Sequence, residues 1–547
     1  MGNMLLKNSL IYINQFFFFI FTELRKIYLK SNIYNNKISK IDSNHLDYKP
    51  SPSLLDGIIK YSKNRVNISD FSLNDVWSDN KVLKKDFKKL HGFFWLFTLD
   101  LNSSKKDVQN ILLKWFKKYH NYNGRSWQTD LLSKRIISWI SNTKITYEGS
   151  DEIYKNEFDY LIKKQVNHLI NEIDRSEKID DKIIGCAAII LAGVSFNDKT
   201  KFLNYGLSLL NRIIRNTFDR YGFPKSRNLR QLTLFLKYFI LIREWLKESQ
   251  NDIPEYLDEI IYHLGQAYNL ISKDSAATFL FNGSQISNNS NFDNYLKRLG
   301  YNFKSESFEV GGYAFLNNKK LSLAVDLGTT PEKKFSENYQ AGTLSFEISY
   351  NGERIVSNSG YFQNFKHQLN LISKSTACHS TLTINNCSST QFTKKSSGIS
   401  YVASTTRVTK KNINLKKNHW IVSAEHDGYL KRFGIIHSRK IECLLDQNKF
   451  VGLDKIIRKK NGKEMNFEIR FHLDPKARVM KTQDKETIFI ECNNEAWKFK
   501  SAEHNIHYET GLFFGKKNNF LENQNILISG IVRNETQEMK WEIERLV

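Results

Sequence analysis

The hydrophobic pattern of this 547-residue chain changes once along its length. Before about residue 275, apolar residues recur every three to four positions, which is the period of an amphipathic helix. After about residue 305, short runs alternate apolar and polar residues, which is the period of a half-buried strand. The polar, turn-rich segment Asn282–Phe292 lies between the two patterns. A chain with its helices first and its strands second builds two regions of different class rather than alternating βαβ units.

The length of the chain predicts at least two cores. We expect an apolar and basic segment over 1–50, a helical domain over 51–275, a linker over 276–308 and a β domain over 309–547. Successive helical hairpins are typical of an α/α toroid or solenoid. A dozen or more short strands joined by turns predict a large antiparallel sandwich. The predicted fold class is therefore α+β and multidomain, with an incomplete α/α toroid followed by a large antiparallel β-sandwich.

Basic residues outnumber acidic ones, with 81 Lys and Arg against 57 Asp and Glu, so the net charge is +24. Such an excess attracts nucleic acid, anionic lipid or acidic polysaccharide, and charge alone does not choose among them. The five cysteines are scattered without a CxxC pair. They predict neither a zinc ribbon nor a disulfide framework, and they fit a reducing compartment at least as well as an oxidising one.

The N-terminal stretch Leu10–Phe21 (LIYINQFFFFIF) is strongly apolar, with Lys7 before it and Arg25 and Lys26 after it. A helix that spans a bilayer needs about 20 apolar residues, and this stretch is shorter. It also lacks the small-residue cleavage site of a signal peptide. Two interpretations stay open: a helix that packs on the next domain, or a helix that lies on a membrane surface with a basic rim.

The pattern of Asn338–Thr383 predicts paired strands followed by a loop that contains His379. The turn dipeptide Asn351-Gly352 separates two strand-like runs and predicts a tight hairpin. His379 lies among small residues where a loop leads into a further strand. Functional side chains are often placed on loops that a rigid scaffold positions, so His379 is a candidate site residue.

Several stretches together resemble the heparinase II/III-like superfamily over nearly the whole chain from about residue 50. They are His91–Leu99, Trp127–Trp139, Ala341–Ser349, Ser375–Asn385, Glu425–Lys440 and Phe471–Pro475. The resemblance implies an α/α toroid followed by a β-sandwich, with substrate held in the cleft between them. It also implies a cell-envelope or periplasmic setting. Because no clear signal peptide is present, a cytoplasmic or membrane-associated location stays open as well.

The activity that this resemblance implies is β-elimination on uronic-acid polysaccharides. A base removes the proton next to the uronate carboxylate, the 4-O-linked sugar leaves, and the carboxylate must be neutralised in the transition state. The catalytic candidates in this chain are His379, Tyr339, Tyr361, Arg227 and Arg230. The substrate-binding candidates are Asn338, Gln340, Asn358, Trp127 and Tyr221, of which Tyr221 is also a candidate base.

The same stretch departs from the pattern of the active superfamily members. Their His-x-His-x-Asp run reads Asn338-Tyr339-Gln340-Ala341-Gly342 here, and the aspartate of their Asp-x-Gly falls on Asn358. A metal that the family holds with His, Asp and His would be left with Gln340, Asn358 and His379. One imidazole and two neutral amides make a poor zinc site, so we expect no metal and no other cofactor.

Whether the chain is an enzyme therefore stays open among three functions. They are a lyase with a rearranged site, a non-catalytic glycan-binding protein on the same scaffold, and a basic envelope or membrane-surface scaffold. The expected partner is an acidic polysaccharide, with a membrane surface as a second partner through the N-terminal segment. No specific nucleic-acid binding is expected. Arg432 and Arg439 flank β-like runs and are expected to line a basic face.

Overall fold

A computed structural model describes the fold of most of the chain. The described residues are 17, 19–55, 58, 77, 84–99, 104–272, 279–287, 289–305, 307–318, 320–395, 398–460, 464–483, 486–501, 505–516 and 519–546. Most of the apolar stretch Leu10–Phe21 and the first residues of the predicted linker lie outside the described residues. Within them, no helix is long and apolar enough to cross a membrane.

The chain divides into two compact units. The first unit comprises Met1–Asn216, Phe235–Glu259 and Asn291–Leu299. The second unit comprises Thr217–Leu234, Ile260–Ser290 and Gly300–Val547. Three segments of sequence thus build each unit.

Helices fill the N-terminal half of the sequence. They cover 19–30 (α1), Asn32–Ile38 (α2), Lys84–His91 (α3), Lys105–Tyr119 (α4), Thr129–Ser141 (α5), Thr143–Thr146 (α6), Glu152–Glu172 (α7), Ile179–Ser195 (α8), Asn204–Thr217 (α9), Leu229–Glu248 (α10), Glu255–Ser272 (α11) and Ser290–Arg298 (α12). Side chains cap several of these helices: Ser104 Oγ accepts from Asp107 N at 3.3 Å at the start of α4, and Asp151 Oδ1 accepts from Tyr154 N at 2.8 Å at the start of α7. Such caps satisfy backbone N–H groups that a helix leaves unpaired at its start.

The core of the first unit is aromatic. The Trp115 and Trp139 rings meet edge to face with centroids 5.2 Å apart. The buried guanidinium of Arg135 lies 4.4 Å from the Trp115 ring and donates to Gln165 Oε1 at 2.7 Å and to the carbonyl of His91 at 3.1 Å. A buried cation of this kind is tolerated because aromatic faces and hydrogen-bond acceptors surround it.

Strands fill the sequence from residue 309 onward. They are Glu309–Val310 (β1), Tyr313–Asn317 (β2), Leu321–Asp326 (β3), Phe346–Tyr350 (β4), Glu353–Ser357 (β5), Leu382–Ile384 (β6), Phe392–Lys394 (β7), Ser400–Val402 (β8), Val408–Lys416 (β9), His419–His426 (β10), Ile435–Leu444 (β11), Lys449–Arg458 (β12), Met465–Leu473 (β13), Arg478–Lys481 (β14), Thr487–Cys492 (β15), Glu495–Lys500 (β16), Ile506–Phe513 (β17), Leu521–Val532 (β18) and Thr536–Leu546 (β19). Two short helices, Gln368–Ser373 (α13) and Leu430–Phe433 (α14), interrupt them.

These strands form two large antiparallel sheets and one small one. The nine-stranded sheet runs β1-β2-β3-β4-β5-β13-β18-β17, with β6 paired to β13. The eight-stranded sheet runs β14-β15-β16-β19-β12-β11-β10-β9, and β7 pairs with β8. The predicted hairpin at Asn351-Gly352 is confirmed: it joins β4 to β5, and both residues have the positive φ of a type I′ turn, 49° and 79°.

The two large sheets share one apolar core. Phe346 of β4 stacks on Trp541 of β19 with centroids 5.2 Å apart, and Phe471 of β13 meets the same indole edge to face at 5.0 Å. Alternating residues on the strands of the eight-stranded sheet are buried, as in the pattern of β11. One face of each strand therefore points into a common interior, which is the arrangement of a sandwich.

Candidate functional site

Gln340 joins three loops of the second unit. Its Nε2 donates to the carbonyls of Gly360 at 3.0 Å and Ser373 at 2.6 Å, and its Oε1 accepts from the backbone N–H of Gly283 at 2.9 Å. The residue is fully buried. Its amide is therefore a cross-link of the loops, since every bond that it makes is to a main-chain group of a different segment.

Asn358 occupies a second buried junction. Its Nδ2 donates to Glu347 Oε1 at 3.0 Å, and its Oδ1 accepts from the backbone N–H of Ser380 at 3.0 Å. Glu347 Oε1 accepts a further N–H from Leu280 at 3.0 Å, while Oε2 is buried without a partner. Burial raises the pKa of Glu347 to about 7, although Arg354 and the Asn358 donors oppose the shift.

His379 is buried beside these amides. Its Nδ1 lies 2.8 Å from the carbonyl of Ser375, which can only accept, so Nδ1 carries the proton. Nε2 is then an acceptor, and it is buried without a partner. Burial lowers the pKa of His379 to about 4, against the opposing effect of the Ser375 carbonyl. The ring lies so close to Gly342 that a Cβ there would be 2.6 Å from His379 Cδ2.

Arg227 is held by an aspartate and by backbone carbonyls. Its Nη2 donates to Asp326 Oδ1 at 2.5 Å and to the carbonyl of Gly312 at 3.2 Å. Its Nε donates to the carbonyl of Gly311 at 2.9 Å, and its Nη1 to that of Gly328 at 3.2 Å. All three guanidinium nitrogens are thus engaged within the protein. Arg227 is a structural anchor in this geometry.

The phenols of Tyr339 and Tyr361 are both buried. Tyr339 Oη lies 3.3 Å from Thr343 Oγ1, and burial together with Asp326 raises the pKa of Tyr339 to about 12. Burial also raises the pKa of Tyr361. A phenol with a raised pKa is protonated at neutral pH, so neither side chain is prepared to act as a base.

The remaining sequence candidates lie in different settings. Trp127, in the first unit, is buried, and its indole donates to the carbonyl of Tyr119 at 3.0 Å. Asn338 and Arg230 are half-buried in the second unit. Tyr221 is 61% exposed, and the Arg220 guanidinium lies 4.6 Å from the centroid of its ring. Tyr221 is therefore the candidate whose ring a dissolved ligand can reach.

One hydrogen-bonded network connects Arg227 to Gln340. Tyr313 Oη donates to the carbonyl of Arg227 at 2.7 Å and is contacted by Asn282 Nδ2. Asn282 Oδ1 accepts from the backbone N–H of Gln340 at 3.0 Å. Sequence reasoning missed Asp326, Tyr313 and Asn282. For Asp326 a signal existed, because a carboxylate ends the mostly apolar strand β3.

A second buried network supports the His379 segment from the opposite sheet. Arg439 of β11 donates to both carboxylate oxygens of Asp454, at 2.7 and 3.0 Å, and its Nη1 donates to the carbonyls of Leu344 at 2.8 Å and Ser380 at 2.7 Å. Burial alone would raise the pKa of Asp454, but Arg439 and His437 hold it below its usual value. Arg439 is buried, so the expectation that it lines a basic surface is wrong.

An open pocket of about 400 Å³ lies on the second unit. Its lining combines three cations, two carboxylates, aromatic rings and backbone: Asp219, Phe223, Pro224, Lys225, Arg227, Gly311, Gly312, Gly328, Thr329, Pro331, Glu332, Phe335 and Lys411. Lys225 Nζ lies 5.9 Å from the centroid of the Phe335 ring. Asp219 fixes the adjoining turn, because its Oδ1 accepts from the backbone N–H groups of Tyr221 and Phe223, each at 2.9 Å. We call this feature the basic pocket.

Comparison with known proteins connects this architecture to a family. Residues 302–542 match the family model described as heparinase II/III-like, C-terminal. This chain carries a heparinase II/III-like C-terminal domain. The superfamily resemblance predicted from the sequence is thereby confirmed. No curated protein matches the sequence of the chain.

Solved structures match the heparinase-like chain over most of its length. A heparan sulfate lyase HepC mutant from Pedobacter heparinus is 14% identical, with 91% of this chain and 86% of that chain covered and a TM-score of 0.67. A heparinase III structure is 15% identical, with 93% and 88% covered and a TM-score of 0.65. The predicted fold class, helices of a toroid followed by an antiparallel sandwich, is confirmed.

The residues present do not fit the metal that the superfamily resemblance implies. Gln340 and Asn358 already use their amide oxygens to accept backbone N–H groups, and His379 offers one unpartnered nitrogen. Across the described residues, no group of three or more His, Cys, Asp or Glu side chains could hold a metal ion. Neutral amides are weak ligands for zinc, and here their hydrogen bonds link the loops directly.

Proposed function

We propose that this heparinase-like protein binds an anionic, uronic-acid-containing polysaccharide and does not cleave it through His379 and its neighbours. The observation that carries this proposal is the engagement of Arg227. A β-eliminating enzyme must neutralise the uronate carboxylate with a group that is available to substrate. All three nitrogens of this guanidinium instead bind Asp326 and backbone carbonyls.

The proton-transfer candidates support the same proposal. His379 offers a buried Nε2, and its lowered pKa keeps the imidazole neutral and weakly basic. Tyr339 and Tyr361 are buried phenols with raised pKa values. A general base must come within hydrogen-bond reach of the proton that it removes, and these atoms are enclosed by protein.

The basic pocket and the turn beside it are the proposed binding surface. Lys225 supplies positive charge, Lys411 does so from an ion pair with Glu309 at 3.0 Å, and the exposed ring of Tyr221 supplies a face for a sugar ring. The net charge of +24 favours the approach of a polyanion. A cation next to an aromatic face suits a charged sugar, because the carboxylate and the apolar ring face are recognised by different groups.

A lyase that uses Tyr221 is the second candidate. This phenol is 61% exposed, and Arg220 lies over its ring. In that case Tyr221 would remove the proton, and one of the cations of the basic pocket would neutralise the uronate. A binding protein would form no unsaturated product from a polymer that it binds, whereas a lyase would form this product from the same polymer.

The test is to incubate the purified full chain with sulfated and unsulfated uronic-acid polymers. Ultraviolet absorbance of the unsaturated product reports cleavage, and isothermal titration calorimetry on the same samples reports binding. We expect binding that weakens with added salt and no rise in absorbance. Absorbance that rises with wild type and is lost in Tyr221→Phe would support the lyase instead, and no binding to any polymer would reject both.

Variants locate the binding surface. We expect Tyr221→Ala and Lys225→Gln each to weaken binding by about tenfold, in the range of one lost stacking or charge contact. The matched control is Tyr508→Ala, which removes a tyrosine that is 46% exposed on β17. Equal weakening by the control would show that binding is not centred on the basic pocket.

A further inference from the structure

An exposed apolar stripe lies on α1 and on Phe17, a helical residue shortly before it, in the first unit. Phe17, Phe21, Leu24 and Ile27 follow one another at spacings of four, three and three residues, which places them on one side of a helix. Their exposed fractions are 54%, 69%, 56% and 67%. Single exposed apolar residues are ordinary on protein surfaces, whereas a contiguous set marks a site of interaction.

The other side of α1 is attached to the protein. Leu29 is buried, and Arg25 forms an ion pair with Glu172 at the end of α7. The Arg25 guanidinium also lies 5.9 Å from the centroid of the ring of Tyr34, a buried residue of α2. These contacts fix the rotation of the helix about its axis, and therefore the stripe faces away from the unit to which α1 belongs.

Basic residues lie on the side of α1 opposite the stripe, together with the exposed ring of Phe19. Residues 17–40 contain five basic side chains and one acidic side chain, Glu23. Lys26 and Lys30 are exposed on α1 itself, and Lys37 and Lys40 follow on the next turns of the chain. An apolar face with Phe and Leu beside a lysine-rich face is typical of helices that lie in the interface of a membrane.

We propose that α1 docks on the surface of an anionic lipid bilayer. The stripe would enter the boundary between headgroups and acyl chains, while Lys26 and Lys30 would meet anionic headgroups. Charge favours an anionic bilayer over a second copy of the chain as the surface that covers the stripe. Two copies of α1 would bring like charges together, whereas an anionic surface complements them.

The test is a flotation experiment with the full chain and lipid vesicles. One set of vesicles contains phosphatidylcholine alone, and the other contains phosphatidylcholine with phosphatidylglycerol. We expect wild type to float with the anionic vesicles and to bind the neutral vesicles at least about tenfold more weakly. The variant Phe21→Ser/Leu24→Ser should lose about the same factor on anionic vesicles.

A matched variant tests whether vesicle binding depends on the stripe itself or on any exposed apolar residue. Ile153 is 81% exposed on α7 in the same unit, and Ile153→Ser should float like wild type. Circular dichroism and thermal denaturation of each variant check that the fold is intact. The proposal is overturned if wild type fails to float with anionic vesicles, or if the Phe21→Ser/Leu24→Ser variant floats equally well.

The oligomeric state tests whether a second copy of the chain, rather than a bilayer, covers the stripe. Light scattering after size-exclusion chromatography, without vesicles, should give the same molar mass for wild type and for Phe21→Ser/Leu24→Ser. A wild-type dimer that this variant converts to a monomer would show that the stripe is covered by a second copy, and would overturn the membrane proposal. Since neither experiment contains polysaccharide, both are independent of the glycan-binding function.

Discussion

Arg227 and Asp326, 99 residues apart in sequence, form a buried ion pair with Nη2 and Oδ1 2.5 Å apart. The exposed fractions of the two side chains are 8% and 1%. Their attraction is coupled to three carbonyl bonds of the same guanidinium, so removal of either partner leaves several buried groups unsatisfied. The pair therefore determines how the loop before α10 attaches to the end of β3.

Replacement of the cation should be strongly destabilising. We expect Arg227→Met to lower the free energy of unfolding by about 3–5 kcal/mol, because Asp326 would stay buried without its partner. Urea denaturation followed by tryptophan fluorescence measures the change. The control is Arg212→Met, which breaks a pair with Asp174 at 2.7 Å whose side chains are about half exposed, and should cost less than about 1 kcal/mol. Similar losses in the two variants would contradict the prediction.

The amide of Gln340 should be equally hard to replace. Gln340→Leu keeps the size of the side chain but leaves two carbonyls and one N–H without their partner. Each such buried group costs about 1–3 kcal/mol. We expect a clear fall in the midpoint of thermal denaturation, and a midpoint within error of wild type would show that water replaces the amide at this junction.

Metal removal should leave the fold unaffected. Amides occupy two of the three positions of the metal site that the superfamily resemblance implies, and the loops are held there by hydrogen bonds of Gln340 and Asn358. Structural metals contribute folding free energy, and chelators remove it. We therefore expect the thermal midpoint to be the same with and without EDTA, and the same after addition of zinc. A fall in EDTA that zinc reverses would reject this interpretation.

His379 should make stability depend on pH. Its folded-state pKa is about 4, below the unfolded value of about 6.5, so the unfolded state binds more protons between these values. The contribution is fully present above about pH 6.5 and is lost as the pH falls toward 4. At pH 5 the loss amounts to about 2 kcal/mol. The stability difference between pH 7 and pH 5 should be smaller by this amount in His379→Gln, and an unchanged difference would show that His379 does not titrate in this range.

Replacement of Gly452 should destabilise the sandwich core. A Cβ at this position would lie 1.9 Å from Cε2 of Trp541, whose ring stacks on Phe346. The indole has little room to move, so Gly452→Ala should cost about 1–3 kcal/mol or more. Gly124→Ala is the control, since its Cβ would meet only Tyr122 Oη at 3.8 Å. Thermal denaturation of the two variants compares them directly, and equal midpoints would contradict the packing described here.

The sequence allowed the fold to be predicted more fully than the site. Hydrophobic period is a local property, so the order of helices and strands and the turn at Asn351-Gly352 were predictable. The pairing of Arg227 with Asp326 was not, because contacts between residues far apart in sequence leave no local pattern. Arg439 shows the same limit: its charge suggests a surface residue, yet it lies on the buried face of β11 against Asp454.

Arg439 also has a consequence for how this fold can change over evolution. Its guanidinium reaches from β11 to the carbonyl of Ser380, next to His379, and a carbonyl is present whatever side chain the residue carries. The position of this segment is thus fixed through main-chain atoms by a residue on the opposite sheet. Side chains along the segment can therefore be exchanged while the backbone keeps its place.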